Sequence, residues 1–447
     1  MQLTPSAIRR CFEGAVPAVI ATCAPDGTPN VAYLSQVHYV DDRHVALTFQ
    51  FFNHTRRNIL ANPHATVQVV DPETAAHFRL HLRYQRTETG GPLFEHMKAK
   101  LAGIASHTGM SKVFHLRGSD IYEVLQVEHV FGAAPDPGTS RADLLPRLRA
   151  CLADLGACGD LAHLFDETLG ALERHCGIGY SMLLMHDPAH ERLYTVASRG
   201  YPESGVGWEV HVGDGIIGVA GRERTPIRIG YTAQAYVYGR AMREGFAHSP
   251  DAAALENEIP FPGLPDPGSQ LAVPLTRGDL LLGVLYVESR QARRFTYEDE
   301  DALVVLAGQL ALAIELLAHS AEMHEELPSK VPAPPVQGAP VDVRHFAVDH
   351  SVFVGADYLI KGVAGAILWK LLRDYVHHGR SEFTNRELRL DRSLGLPDIS
   401  DNLEARLILL QRRLAERCPC LAITRTGRGR FRLEVGRPLH LLEVPAR

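Results

Sequence analysis

The sequence predicts a multidomain α+β chain built from three folded units. A β-barrel comes first, an α/β unit occupies the middle, and a small three-helix unit with a terminal hairpin closes the chain. Three observations carry this. β-branched and aromatic runs separated by Asp-Gly and Asn-Pro turns dominate residues 1–131. Leucines at helical spacing alternate with strand-like runs over 142–325. Two Pro- and Gly-rich stretches, 132–141 and 326–342, set these apart from 343–447. A chain of 447 residues accommodates about three domains of ordinary size.

Apolar residues make up 45% of the chain and charged residues 22%, the balance of a globular protein. By inspection no apolar run reaches the roughly 20 residues that span a bilayer, and Met-Gln-Leu-Thr-Pro-Ser lacks the regions of a signal peptide. The expectation is a cytoplasmic protein with no membrane contact. Seven cysteines at 11, 23, 151, 158, 176, 418 and 420 form no disulfide framework. Cys418-Pro-Cys420 is the only pair close in sequence, and no histidines stand beside it at metal-site spacing, so no metal site is expected. Net charge is −6 but uneven. From Val341 onward there are 18 Lys and Arg against 13 Asp and Glu, a net +5, which leaves −11 on the rest. Only the tail is suited to a polyanion.

In the barrel, Pro5–Gly14 reads as a short helix. Strands follow at Ala18–Cys23, Asn30–Val37 and His44–Phe52, with Pro25-Asp-Gly27 as the hairpin turn. The third strand feeds a short helix capped by Asn53 and stopped at Asn62-Pro63. Its opening residues, His54, Thr55, Arg56 and Arg57, join free backbone N–H groups and the positive end of the helix dipole, a phosphate-binding combination. Strands at Ala65–Val70, Phe78–Thr87 and Tyr122–Val130, with a helix over Pro92–Ser106, complete about six strands.

Ala-Thr-Cys-Ala-Pro-Asp-Gly-Thr-Pro-Asn (21–30), Leu-Ser-Gln (34–36) and the 47–63 stretch resemble the pyridoxamine-phosphate-oxidase-like split barrels over nearly all of 1–131. The resemblance implies FMN at a dimer interface, with Ser35, Gln36, Thr48, Gln50, Asn53, His54, Thr55, Arg56 and Arg57 around it. The chain departs from the family pattern at the phosphate. Asn53 stands where that family has serine, and His54-Thr55 where it has lysine. Arg56 or Arg57 would have to supply the cation, and a guanidinium does not sit where an ammonium sits. An empty barrel, or one holding haem or a deazaflavin, stays open. No residue stands out as a catalytic base, and in that family the cofactor carries the chemistry.

In the middle unit, helices are expected around Leu145–Leu155 and Leu161–Cys176. Strands are expected at Tyr180–Met185, Leu193–Ser198, Gly213–Ala220, Gln270–Leu275 and Leu281–Glu288. A long exit helix spans Tyr297–His319, opened by a box-like Thr296-x-x-Asp299. Gly-Asp-Gly-Ile-Ile-Gly-Val-Ala (213–220), Gln-Leu-Ala-Val-Pro-Leu (270–275) and Leu-Leu-Gly-Val-Leu-Tyr-Val-Glu-Ser (281–289) make the unit resemble a GAF domain end to end. The Gly213, Gly215, Gly218 spacing mimics a dinucleotide fingerprint, but Pro226 and the strand-like Ile227-Arg-Ile229 leave no room for the long helix that motif needs. The resemblance implies a small-molecule effector. The long loop 230–268 offers Tyr231, Tyr236, Tyr238, Arg240, Met242, Arg243, Phe246 and His248, suited to a flat or anionic molecule or else to closing the domain's own core. Leu303, Leu306, Leu310, Ala313 and Leu317 form a stripe of heptad spacing that either packs on the sheet or pairs with a second copy.

In the last unit, helices are expected at Val363–Val376, after the capping box Thr384-Asn-Arg-Glu387, and at Asp401–Arg417. The hairpin Leu421–Thr424 and Phe431–Val435 follows. Three helices and a basic hairpin make a winged helix-turn-helix, and Thr-Arg-Thr-Gly-Arg-Gly-Arg-Phe-Arg-Leu (424–433) resembles the wing of response-regulator DNA-binding domains. With Leu403, Leu407, Leu410 and Leu414 buried, Glu404, Arg406, Gln411, Arg412 and Arg413 fall on or beside the opposite face. Arg425, Arg428 and Arg430 lie on the hairpin. The resemblance implies that this helix and wing contact double-stranded DNA. The whole reads as a homodimeric ligand- or redox-responsive transcriptional regulator. Two alternatives are an FMN-dependent oxidoreductase with accessory domains and a signalling scaffold with an empty barrel.

Overall fold

The structure is a computed structural model. It describes residues 3–12, 16, 18–34, 36–49, 54–72, 74–91, 93–98, 101, 116–133, 144–229, 259–323, 337–394, 403–427 and 429–445. A 3-10 helix, Pro5–Phe12, precedes the barrel strands β1 Ala18–Cys23, β2 Pro29–Leu34, β3 Val37–Tyr39, β4 His44–Phe49, β5 His64–Val70, β6 His77–Glu88 and β7 Gly118–Phe131. Helix α1, His54–Ala61, and α2, residues 93–98, flank them. The sheet runs β2-β1-β5-β6-β7-β4-β3, seven strands rather than six, because the expected second strand breaks after Leu34 and β3 pairs with β4 instead. Gly27, at φ +89°, closes the β1–β2 turn, and Asp26 accepts the Thr28 N–H at 2.9 Å. Ile20, Val45, Leu47, Val67, Phe78, Leu80 and Tyr122 fill the barrel.

The middle domain comprises α3 Leu144–Gly156, α4 Leu161–Cys176, β8 Tyr180–Asp187, β9 Arg192–Arg199, β10 Glu209–His211, α5 Gly215–Glu223, β11 Ile227–Ile229, β12 Ser269–Arg277, β13 Leu280–Ser289 and α6 Tyr297–Met323. Its antiparallel sheet runs β10-β9-β8-β13-β12-β11. Helices α3, α4 and α6 bury one face, and α5 belongs to the apolar cluster on the other. The expected strand at 213–220 is instead a turn and a helix. Gly218 abuts that turn so closely that a Cβ there would lie 2.2 Å from the His211 carbonyl oxygen.

The α6 stripe is settled in favour of the sheet. Leu303, Leu306 and Leu310 are buried in the middle domain's core, with Ala313 and Leu317 packed against it, so this seam does not pair two chains. The opposite face leaves Val305, Leu312 and Leu316 exposed. Tyr297–Ala318 is also long and apolar enough, by length and composition, to cross a membrane, which corrects the expectation that no segment is.

The C-terminal domain carries β14 Val341–Phe346, β15 Ser351–Val354, β16 Asp357–Ile360, α7 Gly362–His378, β17 Glu382–Thr384, α8 Asn385–Leu390, α9 Leu403–Arg417, β18 Leu421–Gly427, β19 Arg430–Val435 and β20 Leu439–Val444. Its two sheets run β16-β15-β14-β20 and β17-β19-β18. The expected linker ends early, since Val341 already pairs with Leu439. Thr384 caps α8 by accepting the Glu387 N–H, as its box requires. One continuous apolar cluster runs from Phe165 and Val196 of the middle domain to Leu372 and Leu410 of the C-terminal domain.

Candidate functional site

On the α5 side of the middle sheet, alternation along β13 directs Tyr286 and Glu288 to one face, and register sets Gln270 of β12 opposite Glu288. The Tyr286 hydroxyl donates to Glu288 Oε2 at 2.9 Å and receives the Gln270 side-chain N–H at 2.5 Å. The Leu264 backbone N–H donates to Glu288 Oε1 at 2.7 Å. Burial pushes the Glu288 carboxyl above its ordinary value, against these hydrogen bonds. Tyr286 is pushed up by burial and then by this carboxylate, and Tyr201 likewise. Gln270 Oε1 is buried and, among the described residues, has no hydrogen-bond partner, while the Tyr201 hydroxyl faces the Glu288 carboxyl. Trp208, Phe261 and Tyr286 form a chain of aromatic contacts beside them, at 4.6 and 6.3 Å between ring centroids. A buried carboxyl, an unpartnered amide oxygen and an aromatic wall suit a small flat molecule with a hydrogen-bond donor.

Sequence reasoning missed this cluster. The available signal was a glutamate inside an otherwise apolar strand, Leu-Leu-Leu-Gly-Val-Leu-Tyr-Val-Glu-Ser (280–289). The effector residues expected instead, Tyr231, Tyr236, Tyr238, Arg240, Met242, Arg243, Phe246 and His248, lie outside the described residues.

In the barrel, the expected phosphate cation Arg56 is found in an ion pair. Arg56 donates to Asp120 Oδ1 at 2.6 Å and to the Thr87 hydroxyl at 2.9 Å, with its guanidinium 4.5 Å from the Phe49 ring centroid. Both side chains of the ion pair are largely buried, at 14% and 8% exposure. Arg56 is thus engaged by the barrel wall, where it offsets the Asp120 charge. Even so, burial pushes the Asp120 carboxyl up. Arg57 remains exposed and donates to His54, while Thr55 receives the Asn30 side-chain N–H at 2.9 Å. Ser35, Gln50 and Asn53 lie outside the described residues.

Gln36 and Thr48 do come together. The Thr48 N–H donates to the Gln36 carbonyl, and Thr48 pairs across the ladder with Ser119. Thr48 shares its face of β4 with Ala46, which packs on α2 outside the barrel core. Gln36 Oε1, Thr48 Oγ1 and Ser119 Oγ are all buried, and among the described residues none has a hydrogen-bond partner. Three unpartnered oxygens in a row fit a polar ligand group.

The polar face of α9 is not open, contrary to expectation. Arg406, 4% exposed, pairs with Asp187 of the middle domain at 3.2 Å. Burial alone would raise the Asp187 carboxyl, but the Arg406 charge and the His190 hydrogen bond hold it below the ordinary value. Arg412 donates to the Val196 and Ala162 carbonyls at 2.6 and 3.3 Å and to Asp166 at 2.9 Å, all three in the middle domain. Arg413 is buried and donates to the Leu359 carbonyl. The Gln411 side chain donates to the Ile423 carbonyl, and Arg425 pairs with Glu404. Arg430 is half-buried, and Arg428 lies outside the described residues. The helix is enclosed because its leucine stripe faces its own domain while Arg406 and Arg412 reach the next one.

Two family models match parts of the chain. Pyridoxamine 5'-phosphate oxidase matches residues 4–124, and the GAF domain matches residues 160–314. No curated protein matches the chain. Among solved structures, the chain is similar to the GAF domain of an Acinetobacter phosphoenolpyruvate-protein phosphotransferase, with 20% identity, 41% of this chain and 96% of that one covered, and a TM-score of 0.31. It is similar to an FMN-binding protein from Syntrophomonas wolfei, with 12% identity, 29% and 90% covered, and a TM-score of 0.25. It is similar to the free methionine-R-sulfoxide reductase from Neisseria meningitidis, with 18% identity, 39% and 89% covered, and a TM-score of 0.29. The chain is a multidomain α+β protein that joins a pyridoxamine 5'-phosphate oxidase-like split barrel, residues 4–124, to a GAF domain, residues 160–314.

Proposed function

We propose that the chain is a small-molecule sensor whose GAF domain controls a DNA-binding C-terminal domain. The observation that carries this is the seating of α9 on the GAF domain through Arg406–Asp187 and Arg412–Asp166. A ligand entering beside Glu288 meets the same sheet whose β8 ends in Asp187. Coupling between the two sites therefore needs only one rigid element that both bias. In this reading the C-terminal domain is a winged helix, with α7, α8 and α9 as its three helices and the β18–β19 hairpin as its wing. Its net positive charge suits duplex DNA, and α9 in the arrangement described is held off it.

The barrel's matching cofactor is FMN, which supplies reversible electron transfer when bound. Gln36, Thr48 and Ser119 would meet its polar groups, and Arg57 is the cation left for the phosphate. The spectrum of small molecules released from purified, untagged protein reports this directly.

The output is tested by releasing α9. Asp166→Ala with Asp187→Ala in the full chain is expected to bind genomic duplex fragments more tightly than the natural protein. The salt slope should be about −0.9 per phosphate contacted. A folded double variant with no salt-dependent affinity for any fragment would remove DNA from the reading and leave the C-terminal domain as a protein-binding unit.

A further inference from the structure

We propose that Cys151 and Cys176 are a dithiol oxidised by hydroperoxides to an intramolecular disulfide, a modification site independent of the effector and DNA readings above. The two are 25 residues apart in sequence, yet α3 and α4 bring their sulfurs to 3.8 Å. Cys151 is fully buried within α3, and its thiol also points to the Ala171 carbonyl. Cys176 ends α4 and is partly open to solvent. The pair is thus already arranged as an accessible sulfur backed by a sheltered one.

The surroundings favour reaction at Cys176. The sulfur–sulfur hydrogen bond, then the charges of Arg147 and Arg294, lower its thiol from the ordinary value against burial and Asp299. Arg294 is fixed there, donating to the Cys176 carbonyl at 2.7 Å and to Asp299 at 3.2 Å. Asp154, the other carboxylate near the pair, is engaged by Arg174 and His175. The thiolate is the nucleophile, so a cysteine whose thiol is lowered is the more reactive at neutral pH. Cys418 and Cys420 are closer, at 3.4 Å, and the sheltered thiol is pushed up in both pairs; what sets 151–176 apart is Cys176, lowered with the help of the Arg294 charge. Proximity alone does not select that pair.

The chemistry balances in two steps. The Cys176 thiolate attacks one peroxide oxygen; the O–O bond breaks, Cys176 becomes a sulfenic acid, and hydroxide leaves and takes up the proton released when the thiol ionised. The Cys151 sulfur then attacks the sulfenic sulfur; an S–S bond forms, the S–O bond breaks, and the departing hydroxide takes the Cys151 proton. Two thiols lose two electrons and two protons, and one hydrogen peroxide becomes two waters. Closure brings the sulfurs to about 2.05 Å.

The test uses the full chain, treated with hydrogen peroxide and mapped by non-reducing peptide mass spectrometry. The expected product is a 151–176 cross-link lighter by two hydrogens. In Cys151→Ser, Cys176 should be trapped by dimedone as the sulfenic acid. In Cys176→Ser, Cys151 should stay reduced, with circular dichroism checking that both variants fold. Alkylation of Cys176 in the natural protein should rise with pH and level off at a lower pH than that of an ordinary cysteine, following its thiolate fraction. Three results would overturn the proposal: a 418–420 cross-link with 151 and 176 still reduced, failure of Cys176 to react in the folded protein, or undiminished oxidation of Cys151 once Cys176 is gone.

Discussion

The GAF domain meets its two neighbours in different ways. Toward the C-terminal domain it shares one apolar cluster and a buried ion pair, Arg406–Asp187. Toward the barrel the apolar clusters stay separate, and the described joint is made of polar and cation–π contacts. Arg9 and Arg228 lie 4.1 and 4.2 Å from the ring centroid of Tyr297, whose hydroxyl donates to the Phe12 carbonyl at 3.2 Å. His96 shares a 2.7 Å hydrogen bond with Thr225. Burying apolar surface is worth about 25 cal/mol per Å², whereas contacts of the second kind each contribute about 1 kcal/mol. GAF and C-terminal domains should therefore unfold together, and the barrel by itself.

Arg406→Ala attacks the strong boundary most directly. It leaves Asp187 buried without its cation and should cost about 3–5 kcal/mol. Urea unfolding should show the loss in the shared GAF and C-terminal transition while the barrel transition stays in place. Equal shifts in both transitions would break the contrast.

Arg56→Ala asks the converse question inside the barrel. Asp120 can relieve its lost partner by taking a proton, because burial already pushes its carboxyl up, so the cost is smaller, about 1–3 kcal/mol. Only the barrel transition should move. If Arg56 is a wall residue and not the phosphate ligand, flavin content per folded protein should match that of the natural chain.

Tyr297→Phe removes one hydrogen bond at the weak boundary and keeps the ring between its cations. About 0.5–1.5 kcal/mol should be lost from domain docking, read as faster hydrogen exchange near Phe12 with both unfolding transitions intact.

The smallest effect is expected at Glu288. Its folded carboxyl sits above the unfolded value, so its contribution is fully present below the unfolded value and is lost as pH rises through the folded one. Melting temperature of the natural chain relative to Glu288→Gln should therefore improve as pH falls from neutral toward about 4.5. A difference that stays flat with pH would mean that Glu288 is not held up by burial.

Local features of this architecture were legible in the sequence because local chemistry determined them. Asp26-Gly27 specified its hairpin, and Thr296 and Thr384 opened their helices. The leucine stripe of α9 is buried as its spacing required. What sequence could not supply was the partner of each polar group. That Arg56 pairs with Asp120 was not legible, because Asp120, 64 residues away, is not a sequence neighbour. That Arg406 pairs with Asp187 was not legible either, because Asp187 belongs to another domain. Glu288 was passed over because one carboxylate in an apolar strand carries no spacing signal. The 213–220 run looked like a strand because Ile-Ile and Val-Ala are apolar, while the turn at Gly213–Gly218 that starts a helix depends on backbone contacts.

The shared apolar cluster has a consequence for the covalent link across it. A protease site engineered between residues 326 and 336 would cut the peptide chain without separating the two pieces, because Leu410 and Leu372 remain in one core with Phe165 and Val196. The fragments should co-purify after cleavage and reassemble from separately produced halves, so that GAF and C-terminal domains act as a complementing pair.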